Sequence, residues 1–160
     1  MVQLEDIQID SNDIETIKVA YPDRNYDCEG MVVDPDTLDI ILFTKHSTSD
    51  VFWVPPVGPG GSSGEVRELE LVGLLNHRDV TGADISPSGD VLALACYDDG
   101  WSYSKPDDQT WVEYLATDPE PTCELKLASE NQRESIIVTE TAYWTVSEGS
   151  SPLYYYARYD

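Results

Sequence analysis

Along this chain apolar and polar residues alternate on a period of two in short runs, separated by Pro, Gly, Asp and Ser, while helical spacing is nearly absent. Three segments share one layout of strand, turn, strand, turn, strand. The first is Glu29-Gly30-Met31-Val32-Val33-Asp34-Pro35, a turn at Asp36-Thr37, a run from Asp39 to Lys45, and Val51-Phe52-Trp53-Val54. The second is Thr81-Gly82-Ala83-Asp84-Ile85-Ser86-Pro87, a turn at Ser88-Gly89, a run from Val91 to Tyr97, and Trp101-Ser102-Tyr103-Ser104. The third is Glu134 to Thr139, a turn near Glu140-Thr141, Ala142 to Ser147, and Leu153-Tyr154-Tyr155-Tyr156. The units begin at residues 29, 81 and 134, spacings of 52 and 53. A further β-like run follows each of the first two units, Val66 to Val72 and Trp111 to Leu115, and a similar run, Ile14 to Ala20, precedes the first. The best helical candidates, Asp10 to Lys18 and Ser129 to Glu134, are short and polar.

Four antiparallel strands in about 40–50 residues is the pattern of a β-propeller blade. The expectation is an all-β chain carrying about three blades in a single domain, residues 1–160, which is half a propeller. Residues 14–20 form an orphan outer strand, 29–73 the first blade, 81–116 the second, and 134–159 a third without its outer strand. A β-sandwich is the competing architecture. The proline at matching places in Asp34-Pro35 and Ser86-Pro87 favours the repeat, because proline there ends a ladder and starts a hairpin turn.

The stretches Asp27 to Pro35, Val80 to Asp90 and Val146 to Tyr154 resemble six-bladed β-propellers of the NHL-repeat and gluconolactonase-like group. The resemblance implies a closed ring, for which this chain has half the strands. Three blades leave a sheet edge and a channel face open. The expectation is therefore a homodimer joined head to tail, each chain donating residues 14–20 to the third blade of the other. A contact that fails to close makes a filament. The alternative is a truncated or split half of a longer propeller.

Charge narrows the partners. With 31 Asp and Glu against 9 Lys and Arg the net charge is −22, which repels phosphate backbones and anionic headgroups and disfavours nucleic acid or a membrane surface as partner. Cationic partners, divalent metals or a salty medium fit better. A hydrophobic fraction of 41% still suffices for a core. No apolar run approaches the roughly 20 residues of a membrane span. The opening Met1 to Asp6 has no secretory character, so the extracellular setting expected here requires an export signal removed from or outside this chain. Cys28, Cys96 and Cys123 lack zinc-ligand spacing; one disulfide with a buried thiol and three reduced thiols are both open, and Cys96 reads as core.

The first residues of the inner strands, Glu29, Thr81 and Glu134, share one register near a channel mouth, with Asp27 and Asp84 close in sequence. Doubled by symmetry they form a set of hard oxygen ligands suited to Ca²⁺. Gluconolactonase-like propellers hold a divalent metal in this region, so the resemblance implies the same; the plainer alternative is that these acids bond loop amides or face a wet channel. His46 and His77 fall in loops and are expected to be solvent-exposed, with no nucleophile signature beside them. Ser62-Ser63 sit in a Gly/Ser linker that holds nothing rigidly. The pairs Asp98-Asp99 and Asp107-Asp108 read as solvated turns. Aromatic residues gather in third strands, at Phe52, Trp53, Trp101, Tyr103 and Tyr154 to Tyr156, mostly for packing, the remainder offering a glycan- or protein-binding surface. The functional expectation is a non-enzymatic interaction or structural module that associates with itself. The alternatives are a metal-dependent lactonase or esterase-like hydrolase and a glycan-binding propeller.

Overall fold

The computed structural model describes residues 16–55, 66–149 and 152–157. Its strands are β1 (Lys18–Ala20), β2 (Cys28–Val33), β3 (Ile40–Thr44), β4 (Ser49–Val54), β5 (Val66–Glu68), β6 (Glu70–Leu75), β7 (Val80–Ile85), β8 (Val91–Cys96), β9 (Gly100–Ser104), β10 (Cys123–Glu124), β11 (Arg133–Val138), β12 (Ala142–Ser147) and β13 (Tyr154–Ala157). A helix, α1 (Trp111–Leu115), lies between β9 and β10. Three antiparallel sheets result, ordered β2-β3-β4-β6, β7-β8-β9-β10 and β11-β12-β13, and β1 pairs with β5 in a two-stranded parallel ribbon. The chain is thus all-β, and each repeat unit of the sequence becomes one sheet.

The three sheets share one register. In each, the ladder between the first two strands is interrupted by a β-bulge at the same place, between Cys28 and Gly30, between Val80 and Gly82, and between Arg133 and Ser135. The tips of the first hairpins match as well. Asp34 Oδ1 accepts from the Asp36 amide at 2.9 Å, Ser86 Oγ from the Val91 amide at 3.1 Å, and Thr139 Oγ1 from the Ala142 amide at 3.1 Å. A short polar side chain at each position substitutes for a missing backbone partner.

The inner strands β2, β7 and β11 pack side by side, which stacks the sheets in chain order. The forward face of the first sheet, Val32, Ile41, Phe43 and Val51, buries against Ile85, Leu92, Leu94 and Tyr103 on the backward face of the second. Each such side chain fully removed from water contributes about 1.5–3 kcal/mol. The forward face of the second sheet, Ala93 and Ala95 with Leu125, meets Ile136, Val138 and Tyr143 of the third. On the backward face of the first sheet Tyr21 and Tyr26 pack over Phe52, Val54 and Leu69.

Four expectations are corrected by this arrangement. Trp111 to Leu115 is a helix, because Thr110 and Glu113 form a reciprocal capping box and both Trp111 and Leu115 fill the first core. The fourth strand of the second sheet is instead the short β10. The run Val66 to Val72 is two strands, since the chain changes partner at the buried Leu69, whose amide donates to the Ala20 carbonyl at 2.8 Å. Residues Lys18 to Ala20 are no orphan strand, for they pair with Val66 to Glu68 of the same chain. Neither helical candidate is helical where described: Lys18 belongs to β1 and Glu134 to β11, while residues 10–15 and the linker containing Ser62-Ser63 lie outside the described residues. All three cysteines are free, and Cys96 is core.

Close approach of the inner strands depends on glycine. A Cβ on Gly82 would stand 3.1 Å from the Ser135 Cα and 3.3 Å from the Ile136 amide nitrogen, both backbone atoms that yield only if the sheets separate. We expect Gly82→Val to cost about 1–3 kcal/mol in urea unfolding. Gly149→Ala, with open space about its Cβ position but a φ of +81°, costs less than Gly82→Val in the same experiment.

Candidate functional site

The bulges put Glu29, Thr81 and Glu134 at the extra-residue position of β2, β7 and β11, so the expected common register is present. Their environments differ. Lys45 Nζ donates to Glu29 Oε1 at 2.9 Å and to the Tyr97 hydroxyl, lying 4.3 Å from the Tyr97 ring centroid. Burial works against the Lys45 charge, but those two hydrogen bonds outweigh it and raise the ammonium pKa. Burial and the nearby Glu29 raise the Glu134 carboxyl, while Lys45 pulls it back. Thr81 is buried and its hydroxyl donates to the Ala95 carbonyl at 3.4 Å. Asp84, three residues further along β7, accepts from the Val138 amide at 2.7 Å and so ties the second sheet to the third; burial raises its carboxyl. The exposed Asp27 offers its backbone carbonyl to the Lys45 amide at 2.7 Å. The structure therefore bonds Glu29 to Lys45, leaves Glu134 within electrostatic reach of both, and holds Thr81 and Asp84 in other bonds. Among the described residues no three His, Cys, Asp or Glu side chains group as they do around a metal ion. Glu29 Oε2 is nonetheless buried and without a hydrogen-bond partner.

The histidines divide. His46 is exposed as expected, but His77 is only 6% exposed, its Nε2 bonded to the Tyr103 hydroxyl and its ring stacked on Trp101 at 4.7 Å and 18°. Burial lowers its pKa despite the opposing charges of Asp99 and Glu120, which leaves a neutral imidazole at pH 7. His77 follows Leu74-Leu75 at the end of β6, where alternation carries on into the space between the first two sheets. With Trp101 and Tyr103 it forms one wall of a cavity of about 420 Å³. The cavity joins His77 near the end of β6, Trp101 and Tyr103 on β9, and Asp118 and Glu120 after α1, three separate segments that only the fold brings together.

Sequence reasoning also misses the most deeply buried charges. The side chains of Glu130 and Arg133 are 0% and 1% exposed, with Arg133 Nε donating to Glu130 Oε1 at 3.1 Å. Glu130 further accepts from Thr145 at 2.6 Å, Ser147 at 3.0 Å and Tyr156 at 3.1 Å. Arg133 donates to the carbonyls of Cys96 at 2.6 Å, Asp99 at 2.9 Å and Ala128 at 3.0 Å. With its hydrogen-bonding capacity filled in this way, the pair braces the second sheet against the third and presents nothing to a ligand.

No protein-family model matches this chain. No curated protein is significantly similar to it either.

Burial alone would raise the Glu130 carboxyl, but hydrogen bonds from Thr145, Arg133 and Ser147 prevail and hold it below its ordinary value. A depressed folded-state pKa contributes stability that is present above the unfolded carboxylate range and lost as pH falls through the folded value. In urea titrations the advantage of wild type over Glu130→Gln should be greatest near neutral pH and shrink on acidification. An advantage that stays constant or grows as pH falls contradicts this assignment.

Proposed function

We propose that this chain is a non-enzymatic, propeller-type interaction module that associates with itself head to tail. What supports the reading is the last sheet. Register aligns the row Val32-Ile41-Trp53 of the first sheet with Asp84-Ala93-Ser102 of the second and Ile137-Trp144-Tyr155 of the third. In the first row Val32 and Ile41 are 4% and 0% exposed beneath the second sheet, whereas Ile137 and Tyr155 are 55% and 56% exposed. The third sheet thus repeats a packing face with nothing on it among the described residues. At the other end of the stack Met31 and Val33, on the backward side of β2, are 62% and 48% exposed.

A second copy supplies the missing neighbour of each face, the forward face of one third sheet covering the backward face of the other first sheet. Two such contacts related by a twofold axis close a six-sheet ring, and one that does not close grows into filaments. Residues 18–20, paired within their own chain, take no part in the exchange. With −22 on each copy, association works against Coulomb repulsion, so salt strengthens it.

Sedimentation equilibrium should show association that tightens between about 0.02 and 0.5 M NaCl, where screening shortens the Debye length several-fold. Ile137→Lys should weaken it at least about tenfold with unchanged circular dichroism. A wild-type chain that stays monomeric at concentrations of about 0.5 mM, equivalent to a free energy weaker than roughly −4 to −5 kcal/mol, overturns the reading.

A calcium ion at the Glu29 end is a subordinate part of this proposal, supported by the buried and partnerless Oε2 of Glu29. If it binds, Ca²⁺ raises the melting temperature of wild type and leaves that of Glu29→Gln unchanged. Equal responses of the two proteins remove the ion from the proposal.

A further inference from the structure

The cavity beside His77 carries chemistry that self-association does not use. Its apolar lining comes from Leu74, Pro119, Pro121 and the partly buried Trp101, and Asp118 and Glu120 supply carboxylates. Lysine and arginine are absent from the lining among the described residues. Trp101 is held in place twice, by the stacked His77 ring and by its indole N–H, which donates to Asp99 Oδ1 at 3.1 Å. The acidic side is held too. Asp118 adopts a left-handed φ of 49° and its Oδ1 accepts from the Leu74 amide at 3.0 Å, pinning the loop after α1 to β6. Gly73 makes room for that loop, since a Cβ there would lie 2.4 Å from the Leu115 carbonyl oxygen.

We propose that this cavity binds an organic cation, the guanidinium or alkylammonium side chain of a basic peptide. A fixed indole attracts a cation through its ring quadrupole, and the apolar walls accept the methylene stem. Two carboxylates with no competing cation add Coulombic attraction, within an overall field of the same sign. The neutral state of His77 removes the one group whose charge would repel such a ligand. A neutral sugar gains the stacking surface and donates its hydroxyls to the carboxylates, but it has no net charge to draw on the Coulombic attraction of the acids or the quadrupole of the indole. The cation fits this lining better.

The test titrates the full chain with Nα-acetyl-arginine amide and with its neutral isostere Nα-acetyl-citrulline amide. Backbone amides of residues 74–77, Asp118 and Glu120 and the Trp101 indole N–H are followed by ¹H–¹⁵N NMR. Saturable shifts confined to this cavity, a dissociation constant of about 1–10 mM, and citrulline binding about tenfold weaker are expected for a ligand of this size. Trp101→Leu and Glu120→Gln should each weaken the arginine compound about fivefold. Because Glu120 is exposed, its variant keeps the test valid even if Trp101→Leu misfolds. Equal affinity for citrulline, shifts centred elsewhere, an unaffected Glu120→Gln, or no saturable shift up to about 50 mM, beyond the reach of any specific site of this size, overturns the proposal. The outcome is independent of the proposed self-association, which Ile137→Lys is expected to weaken without touching this cavity.

Discussion

Everything in this molecule follows from how closely β2, β7 and β11 lie. The second and third sheets approach this closely because Gly82 presents no side chain to the Ser135 backbone, whereas a Cβ on Gly30 would stand 3.0 Å from the Phe43 Cβ of its own sheet and 3.3 Å from the Ala83 Cβ of the second. The bulge at the start of each inner strand adds one residue and so resets which side chains point forward and which backward. Because it recurs at one position, the faces stay in phase through all three sheets. Phase decides the rest: Val32 and Ile41 enter a core, whereas Ile137, in the same row, does not.

An acidic chain has few cations to spend, and two of the nine meet at one place. Lys45, at the end of β3, reaches the Tyr97 hydroxyl from the first sheet, and Arg133, at the start of β11, reaches the Cys96 and Asp99 carbonyls from the third. The tight connection between β8 and β9 is therefore clamped from both sides. Elsewhere the sheets are joined by acids that accept backbone or hydroxyl protons, as Asp84 does from Val138 and Glu140 from Ser88. Such bonds need no positive partner, and this is how a chain of −22 crosses its own interfaces without an ion pair at each one.

The repeat was legible because strand alternation and hairpin chemistry are both local. Asp34, Ser86 and Thr139 bond atoms within five residues of themselves, so their spacing alone marks the units. Misreadings arose where the deciding partner was of another kind or far away. In Trp111 to Leu115 the aromatic and branched residues favour a strand, yet Thr110 and Glu113 carry a capping signature that was there to be read. Alternation from Val66 to Val72 says which residues face inward and nothing about the partner, which changes at Leu69. His77 depends on Tyr103, 26 residues on, and Glu130 on hydroxyls 15 to 26 residues on. No short window contains such pairs. For the same reason the shared register of Glu29, Thr81 and Glu134 was readable, but the lysine that holds the first of them was not.

The two ends of the stack are unequal in a way that bears on what can cover them. Tyr21, Tyr26 and Leu69 already pack over Phe52 and Val54, the part of the first sheet farther from its inner strand. Among the described residues Met31 and Val33, on β2 itself, stay open there. On the third sheet the open row begins at Ile137, on the inner strand β11, and runs outward to Tyr155. Both open surfaces thus include an inner strand, the element through which the sheets meet at the first two interfaces. A neighbour that copies those interfaces must bring its own inner strand alongside, and a second copy of this chain has one at each end. In the proposed association Tyr21 and Tyr26, which already cover Phe52, would limit that contact from outside, so its extent would be set by this segment rather than by the sheet it covers.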